Sequence, residues 1–152
     1  MPLPVLLLTR PEAQARAFAA RLADVPHEAV VAPVSRIVPQ AWDRRLADGV
    51  RGVILTSANA VPAVADLAPL PAWCVGEATA RAARSAGFAA TAAGGDAEAL
   101  IGQLVAHPPD GPLLHAHGLH LARDLAGPLA AAGSELRTAA DYAAEAVPWP
   151  DK

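Results

Sequence analysis

Two strand-to-helix junctions, about twenty residues apart, constrain the fold of this chain most strongly. The first lies in residues 52–61, GVILTSANAV, and the second in residues 73–80, WCVGEATA. In each, a short apolar run typical of a buried strand stops at small hydroxyl or glycine residues and turns directly into a helical pattern. Helix N-termini carry unpaired N–H groups and the positive end of the helix dipole. The pair therefore predicts a parallel sheet with an anion-binding cleft at one edge.

The region around these junctions repeats the same alternation of strands and helices. Helices are predicted at 41–48, 58–66, 77–86, 97–106 and 120–132, and strands at 52–56, 72–75, 88–92, 112–116 and 135–139. Asp96 is placed to cap the fourth of these helices, and Gly133 to end the last. Pro62 and Pro128 fall inside predicted helices and blur their boundaries. Five strands alternating with helices predict an α/β fold with a doubly wound parallel sheet.

The N-terminal residues predict only part of a second sheet. Residues 3–8 form a continuous apolar run, as expected for a parallel strand covered on both faces. Pro11 is placed for the first turn of a helix whose apolar stripe is formed by Phe18, Leu22 and Val25. A second strand is predicted at about 28–32. Since a strand, a helix and a strand cannot bury a parallel sheet by themselves, further elements are expected to complete it.

Two extended segments flank the regular region. Residues 33–39 and 142–150 are both bracketed by prolines, which favours an extended connector or an edge ribbon over a central strand. Their positions predict a two-stranded tether between domains.

Composition excludes several classes of function. The net charge is −3, Lys152 is the only lysine, and no basic cluster is present, which argues against nucleic-acid binding. The first apolar run is too short for a membrane span and lacks a cleavage site, so we expect a cytoplasmic protein with no membrane partner. Cys74, the single cysteine, is predicted to be a small buried apolar residue.

Four motifs, in this order and spacing, resemble uroporphyrinogen-III synthase: Leu6–Pro11 (LLLTRP), Ile54–Val61 (ILTSANAV), Val75–Ala80 (VGEATA) and Tyr142. The resemblance implies an enzyme of tetrapyrrole (heme, siroheme and cobalamin) biosynthesis that cyclises linear hydroxymethylbilane with loss of water and inversion of the last pyrrole ring. It implies no cofactor and no metal. It also implies two flavodoxin-like domains joined by a two-stranded ladder, with the active site between them.

The resemblance further implies a domain organisation. Residues 1–33 would be the N-terminal part of a discontinuous first domain, 34–40 a linker ribbon, 41–140 a flavodoxin-like second domain, and 141–152 the return ribbon. The rest of the family's first domain is absent from these residues, so we expect a C-terminally truncated synthase with little activity alone. Self-association through the incomplete domain is a related expectation. The alternative is a non-catalytic flavodoxin-like module that binds an anionic ligand or a protein partner.

Two side chains are nominated by the resemblance. Tyr142 matches a family position implicated in assisting departure of the hydroxyl, and a phenol can donate a hydrogen bond without being charged. Alternatively, Tyr142 packs at the base of the ribbon. Arg10 matches the Thr-Arg pair of the first domain, where it would meet a substrate carboxylate or pair with a surface acid.

The junctions nominate substrate-binding residues for a linear tetrapyrrole polycarboxylate. Ser57 and Thr79 are expected to open the two junction helices, as caps, as ligand contacts, or as both. Gly76 would let the ligand approach the backbone closely. Three neighbouring N–H groups are expected to remain free for carboxylates, those of Ala58, Asn59 and Ala80.

Three histidines lie close together in the sequence, His115, His117 and His120. The first two fall on the same face of a strand end, which is compatible with a metal site. Two other interpretations stay open, carboxylate recognition near Gly118 and plain loop histidines. The family often has a basic residue where His117 stands, so His117 and Gly118 are substrate-binding candidates, and no metal ligand is nominated.

Overall fold

The structure, a computed structural model, describes residues 1–121 and 123–148. The chain forms two compact units, Met1–Val38 with Ala144–Lys152, and Pro39–Ala143. Within the described residues, none of the helices has the length and apolar character that a membrane crossing requires.

The smaller unit contains a two-stranded parallel sheet and one helix. Strand β1 (Val5–Leu8) pairs in parallel with β2 (Glu28–Val31), and helix α1 (Glu12–Arg21) connects them. The expectation that β1 is covered on both faces is wrong, because Val5 is 64% exposed and Leu7 is 56% exposed. Val25 lies beyond the end of α1 and is also exposed, so the predicted apolar stripe is incomplete.

The remaining strands form a single sheet in the order β3-β8-β7-β4-β5-β6. They are β3 (Ser35–Pro39), β4 (Gly52–Leu55), β5 (Pro71–Cys74), β6 (Ala89–Ala92), β7 (Leu113–Gly118) and β8 (Leu136–Ala146). The helices are α2 (Val61–Val64), α3 (Glu77–Ser85), α4 (Ala97–Ala106) and α5 (Ala126–Ala131). All neighbouring pairs from β8 to β6 are parallel. The predicted doubly wound, five-stranded parallel sheet is therefore confirmed.

The winding of this sheet reverses between β4 and β7. From β4 the chain moves outward through β5 to β6, and then returns to β7 and β8 on the other side of β4. Helices α2 and α3 pack on one face of the sheet, and α4 and α5 pack on the other. In such sheets, ligands bind outside the carboxyl ends of the strands that flank the reversal. Here those ends are Ser57, just after β4, and Gly118, at the end of β7.

Alternate residues of β4 enter two separate hydrophobic cores. Val53 and Leu55 pack on the face covered by α2 and α3, whereas Ile54 packs with Leu100 and Leu104 of α4 on the opposite face. All five side chains are fully buried. Burial of each such side chain stabilises the fold by about 1.5–3 kcal/mol. The continuous apolar run of the first junction is therefore explained by helices on both faces.

Two helices are broken or shortened at a proline, as the sequence indicated. Residues 58–67 divide into a 3-10 turn at Ala58–Ala60, then α2, then a second 3-10 turn at Ala65–Leu67, with Pro62 in the first turn of α2. The helix predicted at 120–132 begins only at Ala126, because Asp124 accepts hydrogen bonds from the first amides of α5. Proline is tolerated in a first turn but not in a helix interior.

The helix predicted at 41–48 is only a 3-10 helix at Arg44–Ala47. The carboxylate of Asp43 accepts the backbone N–H of Arg45 and caps it. Gly49 follows with a φ of 69°, a left-handed conformation that ends the segment.

Strand β8 is longer than predicted and pairs with β3 at the sheet edge. The N–H of Gln40 donates to the carbonyl of Asp141 at 2.8 Å, and the N–H of Val147 donates to the carbonyl of Val34 at 2.9 Å. These bonds make the two strands antiparallel, and they confirm the proline-bracketed segment at 33–39 as an edge ribbon. The final four residues of the predicted return ribbon, 149–152, lie outside the described residues.

A bulge interrupts the pairing of β7 with β8. His117 lies opposite Ala140, but Gly118 lies opposite Tyr142. Asp141 is therefore an extra residue in β8, with no partner in the β7 ladder.

We expect Gly52→Ala to destabilise the larger unit strongly. A Cβ at this position would collide with the Trp73 ring and would lie 2.9 Å from the carbonyl oxygen of Pro71. Overpacking against backbone costs about 1–3 kcal/mol, so chemical denaturation should show a lower free energy of unfolding. Gly102→Ala is the matched control, because its Cβ would meet nothing within 4 Å in α4. That change is expected to stabilise by about 0.5–1 kcal/mol, and equal effects of the two changes would contradict the prediction.

Candidate functional site

The ring of Tyr142 lies directly against the backbone at the end of β7. A Cβ on Gly118 would come within 2.8 Å of Tyr142 Cε2 and Cζ and 3.0 Å of its hydroxyl oxygen. The N–H of Leu119 donates to the Tyr142 carbonyl at 2.8 Å, which continues the pairing past the bulge. The half-buried ring also packs against the core that α2 and α3 cover. The phenol is thus held beside the reversal of the sheet, and only a glycine leaves room for it.

The first junction caps its helix as predicted. Ser57 Oγ accepts the backbone N–H of Asn59 at 3.2 Å. The expectation that the Asn59 N–H stays free is therefore wrong, since this cap uses it. Ala58 is the first residue of the 3-10 turn, and its amide stands at the open end of the segment.

The second junction differs from its prediction. Helix α3 begins after Gly76, whose backbone is extended and which has no side-chain cap, so Thr79 does not open the helix. Thr79 is 7% exposed, and the N–H of buried Ala80 donates to the Gly76 carbonyl at 3.1 Å. The expectation of a free Ala80 N–H is therefore wrong. The donors at this helix end are the first-turn amides of residues 77–79.

Gly76 borders open space. A Cβ added there would meet no atom within 4 Å. The backbone at the start of α3 is thus accessible to a ligand, and the glycine fits the proposed close approach.

Two of the three histidines are buried together. His115 is 1% exposed, His117 is 7% exposed, and their ring centroids lie 4.9 Å apart. Nδ1 of His117 donates to the carbonyl of Gly118 at 2.6 Å, so this imidazole is turned toward its own backbone. Burial, with a smaller effect from His117, lowers the pKa of His115 to about 4. Across residues 1–121 and 123–148, no group of three or more His, Cys, Asp or Glu is placed to hold a metal ion.

Asp141 is a buried acid that the sequence interpretation missed. Its side chain is 1% exposed, and neither carboxyl oxygen has a hydrogen-bond partner among the described residues. Burial raises the pKa of this carboxyl to about 7. The available signal was an acidic residue in the small apolar run TAADYAA, directly before Tyr142.

Two other candidates lie apart from these groups. Arg10 is exposed just after β1 in the smaller unit, with its guanidinium carbon 5.9 Å from the centroid of the Phe18 ring. Cys74 is buried in β5, as predicted, and burial raises the pKa of its thiol to about 11. A thiol in this state is a poor nucleophile.

Comparison with known proteins gives a match to a family model and matches to solved structures. Residues 16–151 match the family model described as uroporphyrinogen-III synthase HemD. The fold is similar to the crystal structure of uroporphyrinogen-III synthetase from Helicobacter pylori 26695, with a TM-score of 0.64 and 14% sequence identity. That match covers 98% of this chain but 65% of the solved chain. No curated protein matches this sequence.

Proposed function

Because the chain belongs to the uroporphyrinogen-III synthase family, we propose that it is a cytoplasmic lyase that acts on hydroxymethylbilane and contributes to its closure to uroporphyrinogen III. The observation that carries this proposal is the position of the Tyr142 phenol against Gly118, beside the reversal of the sheet. This is where an open α/β sheet offers a crevice to a ligand.

The proposed reaction needs little acid–base chemistry from the protein. The substrate's hydroxymethyl group loses its hydroxyl as water, which leaves an electrophilic azafulvene. The substituted carbon of the terminal pyrrole attacks it and forms a spiro intermediate, which then reopens with that ring inverted. The pyrroles supply the electrons. Tyr142 donates a hydrogen bond to the departing hydroxyl, and the protein holds the bilane in the conformation that permits this attack.

Backbone amides are the proposed receptors for the substrate carboxylates. The amides of Ala58 and of the first turn of α3, with the Ser57 hydroxyl, lie at the starts of two helices. Gly76 leaves the approach to the second helix open. Hydrogen bonds from N–H groups to carboxylates are charge-assisted and therefore stronger than neutral ones.

The sequence also nominates Arg10, Gly118 and His117 as contacts with the substrate. Arg10 is an exposed cation suited to a carboxylate. Gly118 offers backbone beside the phenol, whereas burial leaves His117 little surface for a ligand. From the second junction, Thr79 stays in the proposal only through its backbone amide, and Ala80 is left out. From the first junction, the Asn59 N–H is left out because the Ser57 cap uses it.

We also propose that the smaller unit needs further strands for full activity. The apolar side chains of β1 are exposed, and the chain spans 65% of the solved synthetase. Residues 1–33 would belong to a larger first domain, and residues 41–140 would form the second. Self-association of two chains is an alternative way to cover the exposed strands.

The proposal is tested by supplying hydroxymethylbilane and separating the type III product from the type I isomer that forms spontaneously. We expect background product from this chain alone, and type III product in excess from a chain extended at its C-terminus by the strands that complete the first domain in a family member. Type III product from the 152 residues alone would contradict the need for further strands. An extended chain that yields no type III product would contradict the synthase function. Binding of an octacarboxylate tetrapyrrole without turnover would then indicate a non-catalytic binding module.

A further inference from the structure

A cavity of about 220 Å³ opens at the carboxyl ends of the central strands, in the larger unit. Its polar lining consists of Thr56, His115 and Arg123, and its apolar lining includes Val75, Leu121 and Leu125. We call it the His115 pocket. Val75 and Leu125 belong to the core that α4 and α5 cover, whereas Tyr142 packs on the opposite core. The pocket is therefore separate from the phenol, although both lie near the reversal of the sheet.

The size of the pocket indicates what it can hold. Sites that enclose a whole small-molecule ligand typically measure about 300–1,000 Å³. A volume of about 220 Å³ is below that range, and a linear tetrapyrrole is larger than most such ligands. The pocket suits one side arm of a large ligand, not the ligand itself.

The lining determines the chemistry of that side arm. Most of the surface is apolar, so it accepts an alkyl stem. Thr56 Oγ1 and His115 Nε2 lie 3.5 Å apart, and burial keeps the imidazole uncharged near neutral pH. Arg123 is then the cationic member of the lining. A stem that ends in a carboxylate satisfies both parts of the pocket.

Neighbouring acids do not prevent Arg123 from binding such a carboxylate. Nη2 of Arg123 donates to Glu98 Oε1 at 3.1 Å, but these side chains are 51% and 75% exposed. Exposed ion pairs of this kind stabilise by only about 0–1 kcal/mol, and a guanidinium has further N–H donors to offer. The Asp124 carboxylate is engaged by the Ala126 amide at 2.9 Å. The cation can therefore turn to a ligand without breaking a buried interaction.

Building on the proposed function, we propose that the His115 pocket receives one short alkyl-carboxylate arm of the tetrapyrrole. The alkyl stem lies among Val75, Leu121 and Leu125, and the carboxylate binds Arg123. The pocket thereby fixes one pyrrole ring of the substrate relative to the sheet.

The test uses the full 152-residue chain and sodium propionate as the probe, with NMR detection of the His115 ring resonances. We expect a saturable shift with propionate, and none with neutral propanamide or with sodium chloride at the same ionic strength. Arg123→Gln should weaken propionate binding by about fivefold or more, because it removes a charge-assisted hydrogen bond. Arg81→Gln, which changes an exposed arginine of α3, is the matched control and should bind as the wild type does.

Two outcomes would contradict the proposed carboxylate pocket. One is a propionate titration of Arg123→Gln that equals that of the wild type, and the other is a shift of the His115 resonances with propanamide as large as with propionate. Neither depends on turnover. A chain that binds propionate through Arg123 but forms no type III product when extended would contradict the synthase function while keeping the carboxylate pocket. A chain that forms type III product but shows no propionate shift would contradict the pocket alone.

Discussion

Replacement of Asp141 by asparagine is expected to raise the free energy of unfolding at pH 8, relative to the wild type, far more than at pH 4. The carboxyl of Asp141 is 1% exposed and has no hydrogen-bond partner among the described residues. An ionised carboxylate in this place is therefore uncompensated. Asparagine keeps the shape of the side chain but cannot acquire the charge.

The expected magnitude follows from the displaced pKa. Burial raises the pKa of Asp141 from 3.8 to about 7. Below pH 4 the carboxyl is protonated in both states, but between pH 4 and pH 7 it ionises only in the unfolded chain, which favours unfolding. Since one pKa unit corresponds to about 1.4 kcal/mol, this group lowers stability by about 4 kcal/mol as the pH rises through that window. Asp141→Asn should remove this loss.

His115 has the opposite influence, so the wild-type profile alone is not diagnostic. Burial lowers the pKa of His115 from 6.5 to about 4. The unfolded chain therefore takes up a proton first as the pH falls below 6.5, and stability from this group is lost toward pH 4. The two slopes act in opposite directions over nearly the same range. The informative quantity is the difference between the wild type and Asp141→Asn, since it cancels His115.

Urea denaturation of both proteins at several pH values from 4 to 8 measures this difference. The exposed Asp110 provides the control, because Asp110→Asn makes the same chemical change on the surface. A wild-type-minus-variant difference that stays constant across the range would show that folding does not shift the pKa of Asp141, and would contradict the prediction.

Gly118→Ala is expected to reduce type III product formation about as severely as Tyr142→Phe. The new Cβ would lie 2.8 Å from two ring carbons of Tyr142, closer than real contacts allow, so the ring must move. A displacement of about 1 Å in a catalytic group can reduce a rate by about 100-fold. The ring is half-buried and can shift, so we expect a loss of less than about 1 kcal/mol in stability.

The measurement is the rate of type III product formation by the extended chain, together with its free energy of unfolding. Near-ultraviolet circular dichroism reports the displaced ring in Gly118→Ala. Gly102→Ala serves as the control, because that glycine faces open space in α4. Full activity in Gly118→Ala would show that the position of the Tyr142 ring against Gly118 does not matter for the reaction. Full activity in Tyr142→Phe would show that the phenol does not assist departure of the hydroxyl.

The central sheet was predictable because its signals are local. The apolar run around Ile54 requires cover on both faces, and Asp96 caps α4 as expected, with Oδ1 accepting the Ala99 N–H at 2.7 Å. Proline positions likewise signalled that two helices would be interrupted. Each of these features is determined by a few neighbouring residues.

The features missed by the sequence interpretation depend on residues distant in the chain. The bulge makes Asp141 an extra residue in β8, without a partner in β7. An alternating pattern of apolar and polar residues does not reveal such an extra residue. The contact between Tyr142 and Gly118 is formed by residues of two different strands. The His115 pocket likewise combines strand ends with the loop after β7, where a helical pattern was expected. Tertiary packing, rather than local propensity, determines all three.

The exposed apolar face of β1 also has a consequence for synthesis of the protein. Both partners of the small parallel sheet lie within the first 31 residues, so they leave the ribosome early. At about 5–20 residues per second, translation of residues 32–152 takes roughly 6–24 s. During that interval the apolar side chains of Val5 and Leu7 remain open to contact with other nascent chains. The yield of usable protein should therefore depend on how crowded the nascent chains are, with dense polysomes favouring aggregation between neighbours.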